Sequence, residues 1–168
     1  VPPARLQATH DCMTVPVAGR PLRFIDTPGH ARHHPCIWDE RSRGCFTGDT
    51  FGLSYREFDT AQGAWVLPTS TPVQFEPEAL RQSLARLLAS DPDWMYLTHF
   101  GRVGDVRRLA GLLFAQTAVM VELGLALGAA PDRPGALKAR RAALYRAQVG
   151  RTGRFACASG VAAWASYR

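Results

Sequence analysis

The sequence predicts an α+β fold, and three observations carry that reading. Short apolar or alternating stretches, bounded by Gly, Pro and polar turns, recur as far as Phe46. From Glu76 the apolar period becomes helical, with Leu80, Leu84, Leu87 and Leu88 on one face. The chain has 168 residues, 46% hydrophobic and 20% charged, which suits a packed core and excludes a disordered or collagen-like chain.

The elements follow in order. Residues 1–20 are Pro-rich, with a short strand expected around Val15–Val17. Pro21–Asp26 alternates and then meets Thr27-Pro28-Gly29, a strand running into a turn. Cys36–Trp38 and Gly44–Thr47 read as two short strands around the polar turn Asp39–Arg43. Residues 52–75 hold Gly, Pro, Thr and Ser with isolated aromatics, a long loop of the functional kind. A helix starts at Pro77 and ends at Asp91-Pro92. Trp94–Leu97 is a short buried strand ending at Thr98-His99-Phe100-Gly101. Val103 to Gly128 and Gly135 to Val149 are helical by composition, and Ala156–Tyr167 is expected as a last short helix. The organisation expected is therefore 1–101 as the strand-rich unit and 102–168 as a helical extension.

The net charge is +6, almost all from Arg. Its densest stretch, Lys138 to Arg141 with Arg146, Arg151 and Arg154, lacks the interleaved aromatics of a stacking platform, so no nucleic-acid partner is expected. No C-x-x-C pair occurs among Cys12, Cys36, Cys45 and Cys157, which argues against a zinc knuckle or thioredoxin-type site. Cys36 and Cys45 flank the hairpin turn and can face each other; the reading preferred is buried reduced thiols in a cytoplasmic protein. The chain opens Val1-Pro2-Pro3 with no signal-peptide pattern. Leu109 to Ala130 is long enough to span a bilayer, but Gln116, Thr117 and Glu122 fall inside it, so a buried helix or a homodimer contact through the C-terminal helices is expected instead.

Chemistry concentrates where strands stop. Thr27-Pro28-Gly29-His30-Ala31-Arg32-His33-His34, Phe46-Thr47-Gly48-Asp49-Thr50 and Leu97-Thr98-His99 each present an imidazole or carboxylate at a strand end. Taken singly, each is ordinary: a His at a strand end usually caps, and Gly-Asp is usually a turn. Together they converge on one metal site if their strands lie side by side, and imidazole with carboxylate suits zinc, iron or manganese.

Thr-Pro-Gly-His, then Phe-Thr-Gly-Asp, then a strand ending in Thr-His resembles the third, fourth and fifth metal motifs of the metallo-β-lactamase-fold hydrolases. The resemblance covers roughly residues 15–101. It implies an αββα sandwich, here its C-terminal half with a helical extension. It also implies a metal site at one sheet edge, with zinc as the expected ion, two ions in the complete site, and iron or manganese as alternatives. His30 would bind the first metal, Asp49 would bridge both and be the central catalytic group, and His99 would bind the second. His33 and His34 are both open as the supporting imidazole behind the ligands. Tyr55, Arg56 and Phe58, in the loop after the bridging Asp, are candidates for substrate recognition; their alternative is anchoring the loop to the core.

The implied activity is hydrolysis of a small ester, lactone, thioester or amide by a metal-bound hydroxide, which forms near neutral pH because the metal lowers the pKa of bound water to about 7. One departure matters. The family's His-x-His-x-Asp-His motif is absent from these residues, so the chain is expected to be a fragment, inactive by itself, whose partner is the N-terminal half of the same fold. The alternatives are an iron-dependent persulfide dioxygenase on this fold and a non-catalytic dimerisation or interaction module.

Overall fold

The computed structural model describes residues 1–70 and 73–152. Six strands form one mixed sheet in chain order: β1 Thr14–Val17, β2 Arg20–Asp26, β3 Pro35–Asp39, β4 Gly44–Gly48, β5 Trp94–Leu97 and β6 Gly101–Val103. Among the described residues, three α-helices complete the fold: α1 Pro77–Leu88, α2 Val106–Ala126 and α3 Arg133–Thr152. The expected helix Ala156–Tyr167 and Cys157 lie outside the described residues.

Neighbouring strands pair antiparallel except β4 and β5, which are parallel and joined by the crossover through α1. Strand direction follows from this pairing. β2, β4 and β5 all run the same way, so their C-terminal ends meet at one edge of the sheet. Those ends lead directly into His30, Asp49 and His99. The convergence that the motifs require is thus a consequence of topology.

The pleat sends alternate residues to opposite faces. One face carries Ile25, Cys36, Trp38, Cys45, Met95, Leu97 and Val103, all buried against α1 and α2. α1 contributes Leu80, Leu84 and Leu87, each 1% exposed, at the expected helical spacing. Burying each such leucine is worth about 1.5–3 kcal/mol. Pro77 opens α1, where its missing N–H costs nothing.

The opposite face is different. The register aligns Phe24, Ile37, Phe46, Tyr96 and Arg102 in one row across five strands. Phe46 is 46% exposed and stacks on Tyr96 with ring centroids 4.7 Å apart. Among the described residues none of these joins a buried cluster. The helices cover one face of the sheet and leave this row on the other.

α2 is long and apolar enough to cross a membrane by length and composition. Its N-terminal part packs into the sheet core through Val106, Leu109, Ala110 and Leu113. Buried Gln116 donates to the Val66 carbonyl at 2.9 Å, which gives its amide a partner inside the fold. The short strand β6 is absent from the sequence reading; the three residues Gly-Arg-Val show no alternation, and composition alone places the start of the next helix at Val103. The helix starts instead at Val106, after Gly104-Asp105.

The loop 52–75 is pinned at its base by Leu53 and Leu67, which exchange backbone hydrogen bonds of 2.9 Å. Cys36 and Cys45 are both buried and not joined by a disulfide, on the same face. The hydrogen bond with Cys36 and burial together push the Cys45 thiol pKa up, so that proton stays on sulfur.

Candidate metal centre

Asp49 follows the glycine that ends β4. Its carboxylate is addressed by two imidazoles, one per oxygen. His30 Nε2 lies 3.4 Å from Oδ2, and His99 Nε2 lies 3.5 Å from Oδ1. Both separations exceed a normal N–H···O hydrogen bond. They match the spacing of two donors that each sit ~2.0–2.2 Å from a shared ion at a tetrahedral angle, which places them ~3.4 Å apart. Asp49 Oδ1 is buried without a hydrogen-bond partner among the described residues. That orphaned oxygen faces the His99 ring, and a bound ion there would give it a partner.

The His30 tautomer is set by its other nitrogen. Nδ1 lies 3.1 Å from the Thr69 carbonyl, which can only accept, so Nδ1 carries the proton. Nε2 is left with its lone pair toward Asp49. The Thr69 hydroxyl donates to the Asp49 carbonyl at 2.6 Å, so one residue orients both groups. The turn that carries His30 depends on Gly29, which has φ +135°; a Cβ there would lie 2.3 Å from the Leu80 backbone. Close packing on α1 therefore demands glycine.

His34 resolves the choice between the two supporting imidazoles. The Asp49 amide donates to His34 Nε2 at 3.2 Å, which puts the proton on Nδ1. Nδ1 then donates to the Thr50 hydroxyl at 3.1 Å. Thr50 donates its own proton to Thr27 Oγ1 at 3.2 Å, and Thr27 donates to the His34 carbonyl at 3.1 Å. With Nε2 occupied, His34 holds Asp49 in place rather than binding a metal. Gly48, at φ +50°, makes room for it: a Cβ would lie 2.4 Å from His34 Nε2. His33 is exposed and, among the described residues, makes no hydrogen bond or ion pair with the site.

His99 is 53% exposed, against 13% for His30. It sits in the turn between β5 and β6, where Phe100 has φ +72° and Gly101 φ +87°. Phe100 is the unusual member, since a non-glycine residue there costs of order 1–3 kcal/mol.

His30, Asp49, His99 and Thr69 line a cleft of about 190 Å³ together with Leu53, Tyr55 and Phe100. Of the three substrate-loop candidates, Tyr55 lines this cleft. Arg56 and Phe58 do not line the cleft. Phe58 is buried and packs edge-on to Trp65, anchoring the loop to the core. Arg56 hydrogen-bonds the carbonyls of Phe100 and Arg102. Sequence reasoning misses Thr69, Leu53 and Phe100 as neighbours of the site. Phe100 adjoins His99 and is within reach of such a reading, whereas nothing local marks Thr69.

The donor set fits a metal, but only in part. Among the described residues, no group of three or more His, Cys, Asp or Glu side chains is arranged to hold an ion. His30 with Asp49 and His99 with Asp49 supply two donors per ion, one fewer than the three protein ligands of a catalytic zinc.

The model of the metallo-beta-lactamase superfamily matches residues 13–99. No curated protein matches the chain. Among solved structures, a metallo-beta-lactamase family protein from Thermus thermophilus superposes with a TM-score of 0.60 at 26% identity, covering 79% of this chain and 42% of its own. An archaeal superfamily protein from Sulfolobus tokodaii gives 0.54 at 25% identity, covering 70% of this chain and 40% of its own. A beta-lactamase domain protein from Burkholderia ambifaria, 22% identical with a TM-score of 0.55 over 73% of this chain and 34% of its own, shares the fold. The chain therefore spans less than half the length of these structures. Superfamily members are generally hydrolases that bind divalent metals, and with three metal-motif positions gathered at one sheet edge this chain belongs to the metallo-beta-lactamase superfamily.

Proposed function

We propose that this chain is part of a metal-dependent hydrolase acting on a small ester, lactone, thioester or amide. The observation that carries the reading is Asp49, whose two oxygens each face a different imidazole at 3.4 and 3.5 Å. His30 and Asp49 would hold one ion, Asp49 and His99 the other, with zinc as the ion favoured by this donor set and iron or manganese as alternatives. When bound, the metal would lower the pKa of a coordinated water to about 7 and polarise the scissile bond. The chain's own residues set the geometry. Thr69 fixes the His30 tautomer, His34 and Thr69 hold Asp49, and Tyr55, Leu53 and Phe100 give the cleft an apolar wall for the substrate.

The remaining ligands would come from a second half of the fold, the partner expected from the sequence. Two features support it: the two-donor sets, and the open row of Phe24, Ile37, Phe46 and Tyr96, which a second sheet would cover. The free thiols of Cys36 and Cys45 support a reducing, cytoplasmic setting.

Elemental analysis of the full-length protein, with assays on a panel of esters, lactones and thioesters, tests this. Asp49→Ala is expected to lower metal affinity by more than the ~10–100-fold typical of outer partners and to abolish turnover. A protein without metal, or an Asp49→Ala variant with unchanged activity, sinks the proposal. Iron as the only metal, with oxygen consumed on a persulfide, replaces it with the dioxygenase reading.

A further inference from the structure

We propose that Arg56 is a positioning residue for His99, clamping the β5–β6 turn so that the imidazole stays aimed at Asp49. This deepens the metal-centre reading and rests on it for the role of His99. Arg56 Nη2 donates to the Phe100 carbonyl at 2.9 Å and to the Arg102 carbonyl at 2.7 Å. These two carbonyls flank Gly101, so one guanidinium spans the left-handed pair Phe100-Gly101. Gly101 takes a positive φ readily, but Phe100 holds its left-handed φ only where its surroundings impose it.

The turn is gripped from a second side. The Tyr55 ring lies 4.0 Å from the Phe100 ring, centroid to centroid, tilted by 36°. Adjacent residues of the loop thus hold the backbone and the side chain of one strained residue. Arg56 is itself steadied by Asp59, whose carboxylate lies 3.6 Å from Nη1. The short helical turn Arg56–Phe58 is anchored through Phe58 on Trp65 and Trp65 on Tyr145 of α3, each pair with centroids 5.7 Å apart.

The contrast with His30 shows why a clamp is needed. His30 is held by its own ring through the Thr69 carbonyl. The His99 ring shows no comparable tie among the described residues, and its contact with Asp49 is 3.5 Å. The backbone that carries it therefore sets where the ring can reach. Arg56 reaches both carbonyls through Nη2 while Nη1 faces Asp59, and the rigid guanidinium holds these partners together; Lys offers a single point charge on a flexible stem.

Amide hydrogen exchange on full-length Arg56→Ala and Arg56→Lys, read with the histidine side-chain NMR spectrum, tests the clamp. Arg56→Ala is expected to speed exchange over residues 98–103 by about tenfold or more, with residues 27–34 and 44–50 unchanged. The His99 imidazole signal should move toward that of a free histidine while His30 stays put, and Arg56→Lys should fall between. Unchanged exchange over 98–103 overturns the clamp even in a protein that binds two ions. Equal acceleration across the whole sheet also overturns it, because the role is then general stability. Localised acceleration in a protein that binds no metal upholds the clamp and sinks the metal centre instead, so the two failures are separable.

Discussion

His30 and His99 face the same carboxylate at nearly the same distance, yet they are supported in opposite ways. His30 is mostly buried, its ring tied to Thr69 and its turn pressed against α1 through Gly29. His99 is half exposed, and its support comes second-hand, through the backbone of a strained turn gripped by Tyr55 and Arg56. One imidazole is placed by core packing, the other by a loop. A core-placed imidazole is hard to move without unfolding the domain. A loop-placed imidazole can shift while the domain stays folded, so the proposed metal centre would adapt on the His99 side at low cost in stability.

The largest expected effect tests the packed side. Gly29→Ala would drive a Cβ to 2.3 Å from the Leu80 backbone, which a rotamer change cannot relieve. We expect a loss of about 3 kcal/mol or more in urea denaturation. A loss under about 1 kcal/mol would show that the His30 turn is not wedged against α1. The matching change on the other side is Gly101→Ala. There the nearest atom to a new Cβ is Arg56 Nη2 at 3.7 Å, an ordinary contact. Only backbone strain at φ +87° remains, so the loss should be about 1 kcal/mol. Equal losses at the two glycines would erase the distinction between a packed and a clamped ligand.

His34→Ala falls between those two and probes what both sides share. It strips the acceptor from the Asp49 amide and leaves the Thr50 hydroxyl without its imidazole donor. The cost should be about 2 kcal/mol, the usual penalty for partly orphaned buried groups. Because Asp49 serves both imidazoles, metal binding should weaken on both sides together. Weakening confined to the His99 side would mean that Asp49 is held mainly by Thr69.

The same contrast explains how much is legible in the sequence. The strand ends bearing His30, Asp49 and His99 are readable because each is an apolar run halted by Gly or Thr, a local pattern. The common direction of β2, β4 and β5 comes from topology, not from any residue. His34 is legible as a support but not separable from His33, since the difference lies in the hydrogen bonds of its ring with the Asp49 amide and the Thr50 hydroxyl. Arg56 falls in the expected loop, but it does not line the cleft and instead bonds the Phe100 and Arg102 carbonyls. Its partners lie 44 and 46 residues away, on the far side of a helix and a strand. Its direction depends on the fold of the loop, which no short window encodes. β6 escapes because three residues are too few to show alternation.

The smallest effect expected lies at the outer margin of the His30 side. Asp11 accepts the Asp26 amide at 2.9 Å and Arg86 Nη2 at 2.7 Å, while Arg86 Nη1 donates to the Asp26 carbonyl at 3.1 Å. The end of β2 is thereby tied to α1 just before the turn to His30. The hydrogen bond from Arg86, with that from the Asp26 amide, holds the Asp11 carboxyl down at about 2. A folded pKa below the unfolded value of about 3.9 means the pair adds stability above that pH and loses it as the pH falls toward 2. Both side chains are 41% exposed, so solvent screens the pair and its worth should stay under about 0.5 kcal/mol. Asp11→Asn should therefore flatten the fall in stability between about pH 4 and about pH 2, as measured by urea denaturation at each pH, and leave metal binding at neutral pH intact. If it weakens metal binding as much as His34→Ala, the packing of His30 extends outward to this surface pair, and the contrast with the clamped His99 widens from a turn to an entire edge of the sheet.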